Sequence, residues 1–277
     1  IGVQSFDLRV QEAINRIQSF AVTRQAVERL RAAGVEQINF DLLYGLPYQD
    51  EQSCIATTEQ AIELRPDRLS VFGYAHVPSF KPHQRKIPAE ALPQSTGRLR
   101  QFEAIADCLS RAGYVQVGLD HFALPDDPLA VAAASQTLHR NFQGYTTDAC
   151  DSLIGFGASS IGRLPQGFVQ NAVTIPDYER RIAAGQLATV RQCAFSEEDR
   201  RRGALIERLM CDYRVDLTGA SDLADEEKLA PLVADGLIRR SGEVIEVLEG
   251  AKPLVRAVAA AFDAYLEPGA GRHAPAV

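Results

Sequence analysis

The chain has 277 residues, 46% hydrophobic and 23% charged, a balance that excludes disorder and fibrous structure and allows one large domain or two modest ones. A formal net charge of −7 argues against non-specific nucleic-acid binding by the whole chain, so any anionic ligand needs locally placed arginines. Its apolar runs, such as that from Ala257 to Phe262, are broken by charge well short of the roughly 18 to 20 residues of a membrane span, and no spanning helix is expected.

Ile1-Gly2-Val3 reads as a strand already in progress with no signal peptide before it, so the chain is expected to begin in mid-domain. From Val22 to Ala33 the apolar residues Ala26, Val27, Leu30 and Ala33 recur at helical spacing, and Gly34 stands where a left-handed cap would end the helix. Ile38 to Leu43 is a compact strand-like run holding one acid, Asp41, and it stops at the turn Tyr44-Gly45-Leu46-Pro47.

The order then repeats. Ser53 to Leu64 is helical in pattern, and Arg68 to Tyr74 is strand-like before Ala75-His76-Val77-Pro78. Leu99 to Arg111 is amphipathic and is stopped by Gly113, after which Tyr114 to Leu119 leads into Asp120-His121-Phe122-Ala123. Helices alternating with short apolar strands predict right-handed crossovers and a largely parallel sheet, with ligands gathering at the carboxyl ends of its strands. Asp41, the stretch from Tyr74 to His76 and Asp120-His121 fall at those ends. Each alone is as readily a hydrogen-bonded structural residue; together they mark a candidate site.

From Ala149 to Pro165 the sequence is small and rich in glycine, which lets backbone approach a ligand closely. It is neither a Walker loop nor a dinucleotide fingerprint, and by itself it reads as a structural turn. Beyond Ser196 a second domain is expected. Ser196-Glu197-Glu198 caps a helix to about Asp212, Leu229 to Leu237 gives a short helix, Ser241-Gly242 joins a hairpin and Ala251 to Leu266 reads as a final amphipathic helix. This order suggests a winged-helix-like module. Arg200-Arg201-Arg202 and Arg239-Arg240 invite a DNA-binding reading, against which stand the acids Asp225-Glu226-Glu227, Glu243, Glu246 and Glu249. Residues 268–277 read as a flexible tail.

The five cysteines, Cys54, Cys108, Cys150, Cys193 and Cys211, are an odd set at wide spacings, which fits free thiols in a reducing compartment, the cytoplasm. Cys54 and Cys108 fall on apolar helix faces as small buried hydrophobes, and none of the five sits in a short metal-ligand cluster. His121 and His139 lack partners at metal spacing and read as structural or substrate-contacting residues.

Several strings go further. They are Gly2-Val3-Gln4-Ser5-Phe6, Asp41-Leu42-Leu43-Tyr44-Gly45-Leu46-Pro47, Asp67-Arg68-Leu69-Ser70-Val71-Phe72 with Tyr74-Ala75-His76, and Gln84-Arg85-Lys86-Ile87. Most specific are Asp120-His121-Phe122-Ala123 with Pro125-Asp126-Asp127, and the run Leu138-His139-Arg140-Asn141-Phe142-Gln143-Gly144-Tyr145-Thr146-Thr147. In order and spacing, from Ile1 to about Leu266, the chain resembles the oxygen-independent coproporphyrinogen III oxidases, enzymes of the radical S-adenosylmethionine superfamily. The Asn-Phe-Gln-Gly-Tyr-Thr-Thr string separates that family from the related haem-chaperone-like radical enzymes.

The resemblance implies the fold class: α/β, the C-terminal part of a parallel (β/α) barrel over residues 1–195, then a small, mostly helical, winged-helix-like domain over 196–267. It implies a 4Fe-4S cluster on a Cys-x-x-x-Cys-x-x-Cys motif, which this sequence does not contain, and two molecules of S-adenosyl-L-methionine. A 5′-deoxyadenosyl radical takes a hydrogen from the β-carbon of a substrate propionate. Loss of carbon dioxide and one electron leaves a vinyl group, and two such events turn coproporphyrinogen III into protoporphyrinogen IX. By motif position Gln4, Arg16, Asp41 and the backbone at Ala75 would contact the second S-adenosylmethionine, and the backbone at Ile161 the first. Phe142 and Gln143 would line the pocket between cofactor and substrate. The four propionates call for cationic anchors, with Arg140 first and Arg85 and Lys86 next.

The expected partners are the porphyrinogen and an electron donor such as a flavodoxin or ferredoxin, with no nucleic acid and a monomer at full length. The chain alone is expected to be inactive, with an open sheet edge that favours aggregation or dimerisation. The competing readings are a non-catalytic haem- or porphyrin-binding relative and, resting on the C-terminal module alone, a winged-helix regulator.

Overall fold

The computed structural model describes residues 1–79 and 81–266, and the tail expected at 268–277 lies outside the described residues. Strand β1 (Gly2–Gln4) is followed by helices α1 (Leu8–Ala13) and α2 (Phe20–Ala32), then β2 (Asn39–Tyr44), α3 (Glu51–Glu63), β3 (Arg68–Gly73) and α4 (Ser95–Arg111). The helix starts are written in short polar side chains. Ser19 accepts from the Val22 N–H to open α2, and Asp50 and Ser53 form a reciprocal capping box that opens α3.

Strands β4 (Val115–Val117) and β5 (His121–Ala123) complete a five-stranded sheet in the order β1-β2-β3-β5-β4. Here the structure corrects the sequence expectation. β1, β2 and β3 are parallel, but β5 runs antiparallel to both β3 and β4. No helix intervenes between β4 and β5; the chain reverses through Gly118, whose φ of 58° is left-handed, and a hairpin must pair antiparallel. Because β5 enters from the carboxyl edge of β3, Asp120 and His121 still stand at the expected edge, on a reversed strand.

The sheet has two unlike faces. Val3, Phe40, Leu42, Leu69, Val71 and Phe122 alternate onto one face and form one core with Val27, Cys54, Ala61, Phe102, Ile105 and Leu109 from α2, α3 and α4. Register partners Gly2 and Asp41, Asp41 and Ser70, and Ser70 and His121 share the opposite face, which is mostly polar.

After α5 (Pro128–Ala134) come a two-stranded hairpin, β6 (His139–Asn141) with β7 (Gly144–Thr146), and an antiparallel sheet of β8 (Ile161–Leu164), β9 (Gly167–Asn171) and β10 (Thr189–Ala194), with α6 (Ile175–Ala183) between β9 and β10. This part leaves large apolar side chains in water, among them Phe156 at 85% and Leu187 at 86% exposed.

The C-terminal part comprises α7 (Glu197–Asp212), β11 (Arg214–Asp216), α8 (Glu226–Ala234), the hairpin β12 (Ile238–Ser241) and β13 (Val244–Val247), and α9 (Val255–Ala259). Ser196 and Asp199 form the capping box of α7. Leu205, Leu209, Leu217, Leu229, Ile245, Val255 and Phe262 form its core. The single amphipathic helix expected from Ala251 to Leu266 is absent: α9 is short and lies between 3-10 turns at Glu249–Leu254 and Ala260–Phe262. Pro253 has no N–H to extend an α-helix through that segment. Four of the five arginines that invite a DNA-binding reading are committed to acids, Arg201 to Asp222, Arg202 to Glu198, Arg239 to Glu246 and Arg240 to Glu226, while Arg200 donates to the Pro165 carbonyl. Among the described residues no helix is long and apolar enough to cross a membrane.

One buried hydroxyl ties these parts together. Tyr145 Oη accepts from the Leu119 N–H at 3.0 Å and donates to the Met210 carbonyl at 2.9 Å, linking the β4–β5 turn, the β6–β7 hairpin and α7. Tyr145→Phe leaves both backbone groups without that partner, and urea denaturation is expected to show a loss of about 1 to 3 kcal/mol.

Candidate functional site

Gly2 is the hub of the polar face. A Cβ on Gly2 would stand 2.8 Å from Gln4 Nε2 and 3.4 Å from an Arg16 guanidinium nitrogen, so both side-chain ends reach the space that glycine leaves open. Arg16 Nη2 donates to the Gly2 carbonyl at 2.9 Å and to Gln18 Oε1 at 3.2 Å. Asp41 is the register partner of Gly2 on β2, half-buried, and its Oδ1 accepts from Asn39 Nδ2 at 2.8 Å. Ser70 Oγ in turn donates to Asn39 Oδ1 at 3.2 Å. Gln4 ends β1 with φ at 66°, a conformation uncommon for a residue with a side chain. Gln4, Arg16 and Asp41 are therefore brought together around one glycine at the open edge of the sheet.

Ala75 lies in the loop after β3, held by a side chain that sequence reasoning singled out only as part of a motif. Buried Gln84 donates to the Ala75 carbonyl at 2.9 Å and accepts from the Val77 N–H at 2.6 Å. With its carbonyl engaged, Ala75 has its N–H to offer a ligand. A second pair of buried glutamines was not singled out at all. Gln101 accepts from the Gly45 N–H at 2.9 Å and donates to the Gln49 carbonyl at 2.8 Å, while Gln49 bonds the Leu46 N–H and the Leu43 carbonyl. Together they fix the loop after β2.

Asp120 Oδ1 is 2.7 Å from His121 Nδ1, and the imidazole packs edge-on against Phe72 and Tyr145, with centroids 5.9 and 5.4 Å away. The hairpin tip holding Phe142 and Gln143 is exposed, Phe142 at 67%. Its base is fastened to α7: Glu207 Oε1 accepts from the Arg140 N–H and lies 3.1 Å from His139 Nδ1, and Arg208 donates to the Leu138 carbonyl at 2.6 Å. Arg140 itself leans over the Tyr145 ring with its Nε buried and without a hydrogen-bond partner among the described residues. Arg85 and Lys86 are exposed on the 3-10 turn Pro82–Lys86.

Ile161 opens β8, and a Cβ on Gly155 would meet its carbonyl oxygen at 3.2 Å, so the glycine-rich stretch packs backbone against backbone there. Among the described residues no hydrogen bond joins 151–195 to 1–147, and Ile161 is not brought into bonding contact with the group around Gly2.

The cysteines do not form a cluster site. Cys54, Cys108 and Cys211 are buried on three different helices, and burial pushes the Cys54 and Cys211 thiols up to about 12 and raises that of Cys108. Set on separate helices, these cysteines are not placed to ligate one cluster. Among the described residues no group of three or more His, Cys, Asp or Glu is placed to hold a metal ion.

No protein-family model matches the chain. It is 53% identical over its whole length to an oxygen-independent coproporphyrinogen III oxidase of Bradyrhizobium diazoefficiens, of which it covers 64%. It is 41% identical to that of Paracoccus denitrificans, of which it covers 63%, and 40% identical to that of Thermostichus vulcanus, of which it covers 87%. Among solved structures it matches the coproporphyrinogen III oxidase of Escherichia coli, described as a radical SAM enzyme, with a TM-score of 0.90 and 37% identity over 96% of this chain and 63% of that one. The fold is that of a radical SAM enzyme. More narrowly, the chain belongs to the oxygen-independent coproporphyrinogen III oxidase family, and it spans less than two thirds of the length of the Bradyrhizobium and Paracoccus relatives.

The burial pattern of the thiols has a direct readout. A disulfide reagent is expected to label Cys150 and Cys193, which are exposed, in the native protein, and Cys54, Cys108 and Cys211 only after unfolding.

Proposed function

We propose that this chain supplies the cofactor-holding and substrate-facing part of an enzyme that converts two propionates of coproporphyrinogen III to vinyl groups, giving protoporphyrinogen IX. The observation that carries the reading is the convergence of Gln4, Arg16 and Asp41 on Gly2 at the open β1 edge of the sheet, in a chain of this family. These side chains suit S-adenosylmethionine. Half-buried Asp41 can accept hydrogen bonds from a ribose or an ammonium group, Arg16 offers a planar fork to a carboxylate, and the Ala75 N–H is a further donor. Bound S-adenosylmethionine supplies the hydrogen-abstracting radical for this chemistry.

Two such molecules are proposed, one held by Gln4, Arg16, Asp41 and Ala75, the other resting on the backbone at Ile161. Phe142 and Gln143 stand on a hairpin tip that projects from a rigid base, where an aromatic ring can exclude water and an amide can orient the propionate. Each event removes a β-hydrogen atom, carbon dioxide and one further electron from the substrate. The cysteines present do not fit a four-iron cluster, so its ligands are assigned to the part of the relatives that this chain does not span, and the reductant to a flavodoxin or ferredoxin. That same misfit favours a second reading, a porphyrin-binding relative without catalysis.

Anaerobic reconstitution with iron and sulfide separates the two. The protein in its full reading frame is expected to develop the absorption of a four-iron cluster and to decarboxylate coproporphyrinogen III, and the present chain alone to do neither. A full-length protein that binds porphyrin yet takes up no cluster would establish the second reading. In the full-length protein Asp41→Ala is expected to weaken S-adenosylmethionine binding by about tenfold or more, measured by equilibrium dialysis. Gln143→Ala is expected to slow turnover at unchanged S-adenosylmethionine affinity.

A further inference from the structure

Several half-buried arginines in this chain lean on carboxylates, Arg68 on Asp127, Arg202 on Glu198, Arg208 on Asp212 and Arg240 on Glu226, whereas Arg140 lies over the Tyr145 ring without an ion pair among the described residues. Arg98, in the first turn of α4, likewise has no ion pair among the described residues. Its guanidinium enters between two glycines at the carboxyl ends of β2 and β3. A Cβ on Gly45 would stand 2.5 Å from Nη1, and one on Gly73 would stand 2.8 Å from Nη2. Gly45 is required in any case by its φ of 79°, but Gly73 has no left-handed backbone to explain it, so room for Arg98 and for the Tyr44 hydroxyl is its evident reason. Nη1 donates to the Tyr74 carbonyl at 2.8 Å, the charge lies 5.6 Å from the centre of the Tyr44 ring, and Nε is buried without a hydrogen-bond partner among the described residues. The charge is felt locally: burial raises the Tyr44 hydroxyl, and Arg98 opposes that rise.

A cation drawn partly out of water, with room made for it by two glycines and no ion-pair partner among the described residues, leaves a desolvation cost that a ligand anion can offset. We propose that Arg98 anchors a carboxylate of the molecule bound at the carboxyl ends of the strands, a propionate of the porphyrinogen. This rests on the functional reading above, and it adds a positioning residue that motif comparison did not supply. The guanidinium plane, flanked by Gly45 and Gly73 and backed by Tyr44, suits two parallel N–H bonds to one carboxylate. An amino-acid carboxylate, as in S-adenosylmethionine, shares that chemistry, and the test separates the two.

The experiment is equilibrium binding to the full-length protein, read from porphyrin absorption, for coproporphyrin III and for its uncharged tetramethyl ester, with S-adenosylmethionine binding measured alongside. Arg98→Gln is expected to weaken coproporphyrin III binding by about tenfold or more, leaving the ester and S-adenosylmethionine unchanged. Arg98→Lys is expected to recover part of the loss. Gly73→Ala, which keeps the charge but crowds the guanidinium, is expected to reproduce it. An equal loss for the ester, or no loss at all, overturns the anchor while the functional reading stands. A loss confined to S-adenosylmethionine assigns Arg98 to the cofactor and overturns the propionate. Wild-type protein that takes up no porphyrin overturns the functional reading, and the anchor with it.

Discussion

Everything at the site depends on the packing of one sheet face against α2, α3 and α4. Slipping β2 or β3 by one residue would turn Phe40, Leu42, Leu69 and Val71 out of the core, at roughly 1.5 to 3 kcal/mol for each side chain. The hydrogen bonds among Ser70, Asn39 and Asp41 on the other face contribute about 1 kcal/mol apiece. The apolar face therefore sets the register, and the polar face inherits its geometry. Asp41 stands beside Gly2 because Phe40 and Leu42 must be buried.

That dependence explains what was legible in the residues. Phe40 and Leu42 alternate with Asp41 in the sequence, so strand, core face and odd acid can be read together; Gly34 and Ser196 mark helix ends for equally local reasons, whereas the Asp50 cap, three residues ahead of Ser53, goes unread. Strand direction is not local. Tyr114 to Leu119 reads as one more barrel strand, and only the absence of a helix between β4 and His121 betrays a hairpin. The final helix failed on Pro253, a signal that was present and outweighed by the apolar spacing around it.

The site was legible in pieces. Gln4, Arg16, Asp41 and Ala75 come from motif resemblance, and the meeting of the first three around Gly2 is geometry that no spacing announces. The buried glutamines Gln49, Gln84 and Gln101 were harder, because a glutamine inside a loop or helix looks like surface until its partners are known. Arg98 was invisible for the same reason. In sequence it is one more cation on an amphipathic helix, and its isolation from acids exists only in three dimensions.

Glu207, Arg208 and the Met210 carbonyl belong to α7, yet they hold the hairpin that presents Phe142 and Gln143. The C-terminal module and the hairpin thus form one heritable unit. Swapping that module between relatives without its matching hairpin would break the bonds at the hairpin's base and displace Phe142 and Gln143, although neither residue had changed. Substitutions at Glu207 and at His139 should show epistasis for the same reason, each tolerated only in the company of a compatible partner.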